Sequence, residues 1–411
     1  MRPASPPAAK MICPMRFLSF LIILSLFPFA AAASDDGRSC ENDTAVIDAD
    51  FEGARMSDCN ARTKKFKIRI DPENKPINPS PWYAFRVTPK TQDEIEIVIK
   101  YSDARHRYRP KRSEGDGVWR LVDEDRVKLR RKGKSVTLTL EPGTAPFIIA
   151  AQEMLIGEAY ETWEKDIAAR ARLTRETIGS SVEGREITAL FSAPQTARDE
   201  KEYVLFIGRQ HPPELTGAFA MLPFLETVFA DTQLAKAFRE RFHIIAVPLM
   251  NPDGVANGHW RHNMNGVDLN RDWGPFTQPE TRAVKATLDD IAADANSALR
   301  LMFDFHATNR NVFYTQTQED VTRPPNFTQD WLAAARVRLD GYDFERAERH
   351  QSDLDTSKNY VFGRFGAPAL TYEVGDKTDR QAIHHSAVIF AEEMMKELLA
   401  GAGSPLASAG E

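Results

Sequence analysis

The chain has 411 residues, 42% of them apolar and 27% charged, with a formal net charge of −6 and three cysteines. That length suggests two domains, and the composition is that of an ordinary soluble protein. So mild a charge gives no reason to expect a nucleic-acid partner.

From the N-terminus, "MRFLSFLIILSLFPFAAAAS" joins a basic Arg16 to an apolar run from Phe17 to Phe29 and an Ala31-Ala32-Ala33 exit. This three-part layout predicts a cleavable secretory signal over residues 1–33, with Met11 and Met15 as alternative starts. A retained membrane anchor is the rival, but the run is short for a span, and no comparable run follows it. The mature chain is therefore expected to be soluble, off the membrane, and secreted or periplasmic. Cleavage removes Cys13 and leaves Cys40 and Cys59, for which a disulfide is the default pairing in an exported protein.

From residue 45 to about 145 a period of two dominates: Phe66, Ile68 and Ile70; Ile95, Ile97 and Ile99; Val136, Leu138 and Leu140. Breaks such as "DPENKPINPSP" and "EGDG" separate these half-buried strands, and no helical pattern lies between them. A small antiparallel β-sandwich domain is predicted over 45–145. It is basic, since residues 61–150 hold 21 Lys/Arg against 12 Asp/Glu. "EAYETWEKDIAARARL" then reads as an amphipathic helix, and strand-like and helix-like runs alternate. The strands are "EITALFS", "YVLFIG", "HIIAVPLM", "ALRLMFDFH" and "PALTYEVG"; the helices fall near 215–230, 279–293, 329–339 and 382–400. An α/β domain over 150–402 is predicted, its sheet flanked by helices.

The chemistry starts where "YVLFIG" ends. His211 and Glu214 follow it three residues apart with Pro212 and Pro213 between them, at the edge of the sheet where α/β sites collect. Two residues at that spacing share one face of a helix start, and the prolines reduce the entropy lost on ordering them. His306 ends another apolar strand, with Asp304 on the same side by alternation. Two histidines and one glutamate form a three-ligand zinc set that leaves a fourth position open.

Residues 175–376 resemble the zinc carboxypeptidase family, whose members remove single C-terminal residues. The motifs "GSSVEGREI", "HPPE", "NPDG", "GHWR…GVDLNRDW", "DFH" and "LTYEVGD" stand in the family's order. "FEGA" and "WYAFRV" resemble the extra N-terminal domain of the cytosolic carboxypeptidase subfamily, many of whose members trim glutamates. The resemblance implies a mixed central sheet, one Zn2+ ion on His211, Glu214 and His306, and peptide or protein C-termini as partners. Asp268 then orients His211, Arg261 stabilises the oxyanion, Asn270 and Arg271 hold the terminal carboxylate, and Glu373 is the general base. Lys358 stands at or near the specificity position and Arg364 is a second candidate, so acidic terminal residues are expected. The family's mobile lid tyrosine has no match in "RHQSDLD", and Tyr342 and Tyr360 are both displaced from it. Two rival readings are a zinc amidohydrolase acting on small N-acyl amino acids and a catalytically decayed binding protein. A serine hydrolase is disfavoured because no G-x-S-x-G appears. The sequence sets no oligomeric state.

Overall fold

In the computed structural model, residues 37–194, 199–349 and 353–401 are described. The leader expected over 1–33 lies outside them. Two sheets make up the N-terminal part. One has six antiparallel strands and includes Ala45–Asp48, Ala84–Pro89 and Phe147–Ala150. The other has five, including Lys65–Ile70, Ile95–Tyr101 and Ser135–Leu140. The alternating apolar residues read from the sequence do face inward: Phe66, Ile68, Ile97, Val136 and Leu138 join Ile47, Phe85 and Ile149 in one core. The sandwich is not wholly antiparallel, because Lys65–Ile70 runs parallel to Ile95–Tyr101. The long loop between strands Lys65–Ile70 and Ala84–Pro89 carries the chain over to the other sheet and leaves a parallel pair behind it. Cys40 and Cys59 form a disulfide that joins the edge strand Ser39–Glu41 of one sheet to Asp58–Arg62 of the other.

The rest of the chain builds a mixed sheet of eight strands. Its centre is parallel: Phe242–Val247, Lys201–Gly208, Ser297–Thr308 and Ala369–Gly375 lie side by side. These strands are apolar almost throughout, as a sheet covered on both faces requires. Helices Leu215–Val228, Gln233–Arg241, Phe327–Arg338 and Arg380–Ala400 pack on one face. Pro279–Ala293 and Ser357–Phe365 pack on the other. Among the described residues, no helix is long and apolar enough to cross a membrane. The two parts share core. Trp260 and Leu215, from the second part, are buried in the cluster of the first.

Candidate active site

The strand Lys201–Gly208 delivers the chain to the carboxyl edge of the sheet, and Arg209, at φ 52°, turns it. The segment from His211 to Glu214 is a turn, closed by a 3.3 Å hydrogen bond from Glu214 N to His211 O. Glu214 is the N-cap of helix Leu215–Val228. The two side chains thus converge through a proline-stiffened turn, and the helix-face pairing suggested by their spacing is corrected. His306 arrives on the neighbouring strand. The helix crosses it so closely that a Cβ at Gly217 would stand 2.5 Å from the His306 carbonyl oxygen. Only glycine allows that approach.

His211 Nδ1 lies 2.9 Å from Glu214 Oε1, and His306 Nδ1 lies 2.8 Å from Glu214 Oε2. All three side chains are buried, with their ligand atoms within 4.8 Å of one another. The opposite ring nitrogens face acids: His211 Nε2 is 2.9 Å from Asp268 Oδ1, and His306 Nε2 is 2.9 Å from Asp304 Oδ2. A neutral imidazole that donates from Nε2 presents a bare lone pair at Nδ1. Two such lone pairs facing one carboxylate repel it, and a cation among them removes the conflict. The donor set therefore fits zinc. Burial disfavours charge on His306, yet the Asp304 and Glu214 carboxylates raise its pKa well above the usual imidazole value. The cluster attracts positive charge.

The supporting acids are themselves held. Burial would raise the Asp268 carboxyl, but His211 and Arg261 outweigh it and hold it far below the usual range. Arg261 Nε donates to Asp268 Oδ2 at 2.7 Å. Asp304 Oδ2 accepts from Gln210 Nε2 at 2.6 Å and from Ser357 Oγ at 2.5 Å. Glu373 pairs in register with His306 across the parallel strands. Its Oε2 is buried without a hydrogen-bond partner among the described residues. Burial and the neighbouring Glu214 carboxylate push Glu373 up to about 7, against the pull of His306, His211 and Arg261.

These groups face a cavity of about 420 Å³. His211, Glu214, His306, Glu373, Arg261, Asn270, Arg271 and Lys358 all line it. Asn270 Oδ1 accepts from Ser357 N at 3.0 Å, and Arg271 is exposed at the rim. Lys358 Nζ donates to Arg349 O at 2.6 Å, and burial pushes its ammonium down to about 8, against Asp320. Arg364 is not brought into the cavity. It is exposed, pairs with Asp289 at 2.9 Å and donates to Tyr360 OH at 2.7 Å. Its position six residues, or about one and two-thirds turns, beyond Lys358 on the helix Ser357–Phe365 sends it to another face.

Sequence reasoning missed several groups here. Tyr314 and Arg349 line the cavity, with the Arg349 guanidinium 5.2 Å from the Tyr314 ring centre. Tyr342 is buried against Tyr372, and Tyr360 packs on Trp273 and Phe276. One wall comes from the N-terminal part: Asn78, Ser80 and Arg107, with Arg107 Nε donating to Asp376 Oδ2 at 2.8 Å. No local pattern marks Arg107, which stands far from the metal-site motifs in the chain. The outlying motifs serve as scaffold. Asp253 of "NPDG" accepts from Ser181 Oγ at 2.8 Å and Glu183 N at 2.7 Å in "GSSVEGREI".

A buried His-Glu-His set facing a cavity at the carboxyl edge of a mixed sheet is the arrangement of a metallohydrolase. The sequence model of the zinc carboxypeptidase family matches residues 160–395, more than half of the chain, which belongs to that family. Cytosolic carboxypeptidase 6 of Mus musculus is 31% identical over 139 residues, 32% of this chain and 26% of the relative. The chain thus spans about a quarter of that relative's length. A metallo-carboxypeptidase from Burkholderia cenocepacia superposes with a TM-score of 0.73 at 19% identity, covering 87% of this chain and 99% of that one. A metallo-carboxypeptidase from Pseudomonas aeruginosa, in complex with (2-guanidinoethylmercapto)succinic acid, gives 0.66 at 21%, covering 86% and 99%. At those identities the two structures speak for the fold.

Proposed function

We propose that this protein is an exported zinc carboxypeptidase that removes one C-terminal residue at a time and prefers glutamate or aspartate. A single observation carries the reading. Two imidazoles and a carboxylate converge at the floor of a cavity that also holds Glu373, whose Oε2 is buried without a hydrogen-bond partner among the described residues, and the cations Arg261, Arg271 and Lys358. His211, Glu214 and His306 would hold the ion. When bound, zinc supplies Lewis acidity, polarising the scissile carbonyl and acidifying water.

The remaining steps belong to the chain's own side chains. Arg271 and Asn270 grip the terminal carboxylate and set which bond reaches the floor of the cavity. Glu373, held up at about 7, takes the proton of the attacking water and returns it to the leaving amine. Arg261, fixed by Asp268, faces the carbonyl oxygen as it gains charge. Lys358 would meet an acidic side chain of the departing residue. Export is supported by the Cys40–Cys59 disulfide, which suits an oxidising compartment. The N-terminal β-sandwich and the α/β part are read as two domains that share one active site.

Digestion of a peptide library, read by mass spectrometry, tests this reading. Single-residue loss with glutamate or aspartate leaving fastest is expected. Leucine or lysine leaving fastest removes the acidic preference. Intact peptides beside hydrolysed N-acyl amino acids would move the assignment to an amidohydrolase.

A further inference from the structure

The segment from Gly258 to Asp268 carries Arg261 and Asp268, and one end of it is held from outside the α/β part. Glu73, in the loop between strands Lys65–Ile70 and Ala84–Pro89, reaches across with its side chain only 4% exposed. Its carboxylate accepts three consecutive backbone N–H groups: Trp260 on Oε2 at 2.7 Å, and Arg261 and His262 on Oε1 at 2.8 and 2.7 Å. Asn74 adds two contacts, donating to Gly266 O at 2.8 Å and lying 2.5 Å from His262 Nδ1. Trp260 is fully buried in the N-terminal core, and its Nε1 donates to Trp82 O at 3.2 Å.

Three successive amides that point at one carboxylate fix the backbone at the residue in the middle, which is Arg261. The other end of that side chain is fixed by Asp268. Simple attachment of the two parts needs no such arrangement. Trp260, buried among Trp82 and its neighbours, already supplies adhesion through apolar burial. A carboxylate whose oxygens are both occupied by backbone N–H groups adds direction, because each bond constrains a peptide plane.

We propose that Glu73 is a positioning residue for Arg261, so that the N-terminal β-structured part is a working piece of the reaction centre. This rests on the reading of Arg261 given above. A guanidinium that must meet charge only as it develops is sensitive to small displacements of its base, whereas terminal-carboxylate binding by Asn270 and Arg271 is not. Glu73→Gln keeps one acceptor and turns the other into a donor facing an N–H.

The test compares Glu73→Gln, Arg261→Ala and the double variant in the full-length zinc-loaded protein, with zinc content and thermal midpoint recorded. Arg261→Ala is expected to lower kcat by about 10²–10³. Glu73→Gln should lower kcat by about tenfold or more, with KM changed less than about threefold and zinc retained. In the Arg261→Ala background, Glu73→Gln should add less than about threefold. Full loss on top of Arg261→Ala, or a loss confined to KM, overturns the proposal while leaving the carboxypeptidase reading intact. An Arg261→Ala enzyme with normal kcat overturns the oxyanion role itself, and the proposal with it. If Glu73→Gln does not fold, Asn74→Ala, which loosens the same segment at His262 and Gly266, carries the same comparison.

Discussion

The N-terminal sandwich and the α/β part bury different kinds of side chain. Between Ala45 and Ala151 the interior is a continuous apolar cluster in which strand after strand supplies isoleucine, valine and phenylalanine. Most of its charged residues lie outside, on faces such as Lys65, Lys67 and Arg69; Lys111, buried and bonded to Gln152, is an exception. From Gln210 onward, buried Asn251, Asp253, Asn263, Asp272, Asp304 and His306 accompany the apolar layers, and each has a polar partner: Gln210 O for Asn251, Ser181 for Asp253, Glu280 for Asn263, Thr281 for Asp272, and Asp304 for His306. A buried polar group is costly unless paired, so a dense and paired set in one place is the mark of chemistry. The sandwich part reaches the cavity and the segment beside it through Glu73, Asn74, Asn78, Ser80 and Arg107. Stability and chemistry are thus largely separable, and variants can pull them apart.

Glu373→Gln should have the largest effect. The amide keeps the shape but takes no proton, so kcat is expected to fall by about 10²–10⁴. Zinc content should not change. The substitution also removes a negative charge that burial and the neighbouring Glu214 carboxylate both disfavour. The thermal midpoint should therefore hold or rise, as measured by calorimetry. Activity above a tenth of wild type would remove Glu373 from the mechanism.

The opposite split is expected in the sandwich. Cys40→Ser with Cys59→Ser opens a cross-link between residues 19 apart. In the chain-entropy picture this costs about 3 kcal/mol of unfolding free energy, read from denaturant curves. kcat and KM should stay near wild type once the protein is folded, because neither cysteine approaches the cavity. A tenfold loss of kcat in fully folded protein would show that the two parts are coupled by more than the loop held by Glu73.

How much of this was legible in the sequence follows the same division. Period two gave the sandwich strands because one face of each is buried. The central strands and the helices read near 279–293 and 382–400 were readable because apolar strand-like runs alternate there with helix-like ones. The strand Glu345–Glu348, "ERAE", was not, since an exposed edge strand carries no apolar signal and charge there blocks further pairing. The helix Gln233–Arg241 was missed because only Ala235 and Phe238 are buried along it. At the site, His211, Glu214, His306 and Glu373 stood out as polar residues at the ends of apolar strands. Glu73 and Arg107 did not, because their partners lie far away in the chain and no spacing rule links a sandwich loop to a remote sheet edge.

The smallest effects separate Lys358 from Arg364. Lys358 lines the cavity and its ammonium is pushed down to about 8 by burial. A lysine is charged below its pKa, so its attraction for an acidic terminal residue is complete near neutrality and fades as pH rises through 8. The ratio of kcat/KM for glutamate over leucine should therefore fall by several-fold between about pH 7 and pH 9.5, and Lys358→Met should show a low ratio at every pH. A charged contact of this kind is worth about 1.5–3 kcal/mol, or tenfold and upward in that ratio. Arg364→Ala should leave the ratio and its pH course untouched, because the guanidinium is spent on Asp289 and Tyr360 outside the cavity. Its cost should be confined to stability, within about 0.5–1 kcal/mol for an exposed pair. If Arg364→Ala lowers the ratio and Lys358→Met does not, the acidic preference is read from the far face of the helix Ser357–Phe365, and that helix must turn when substrate binds.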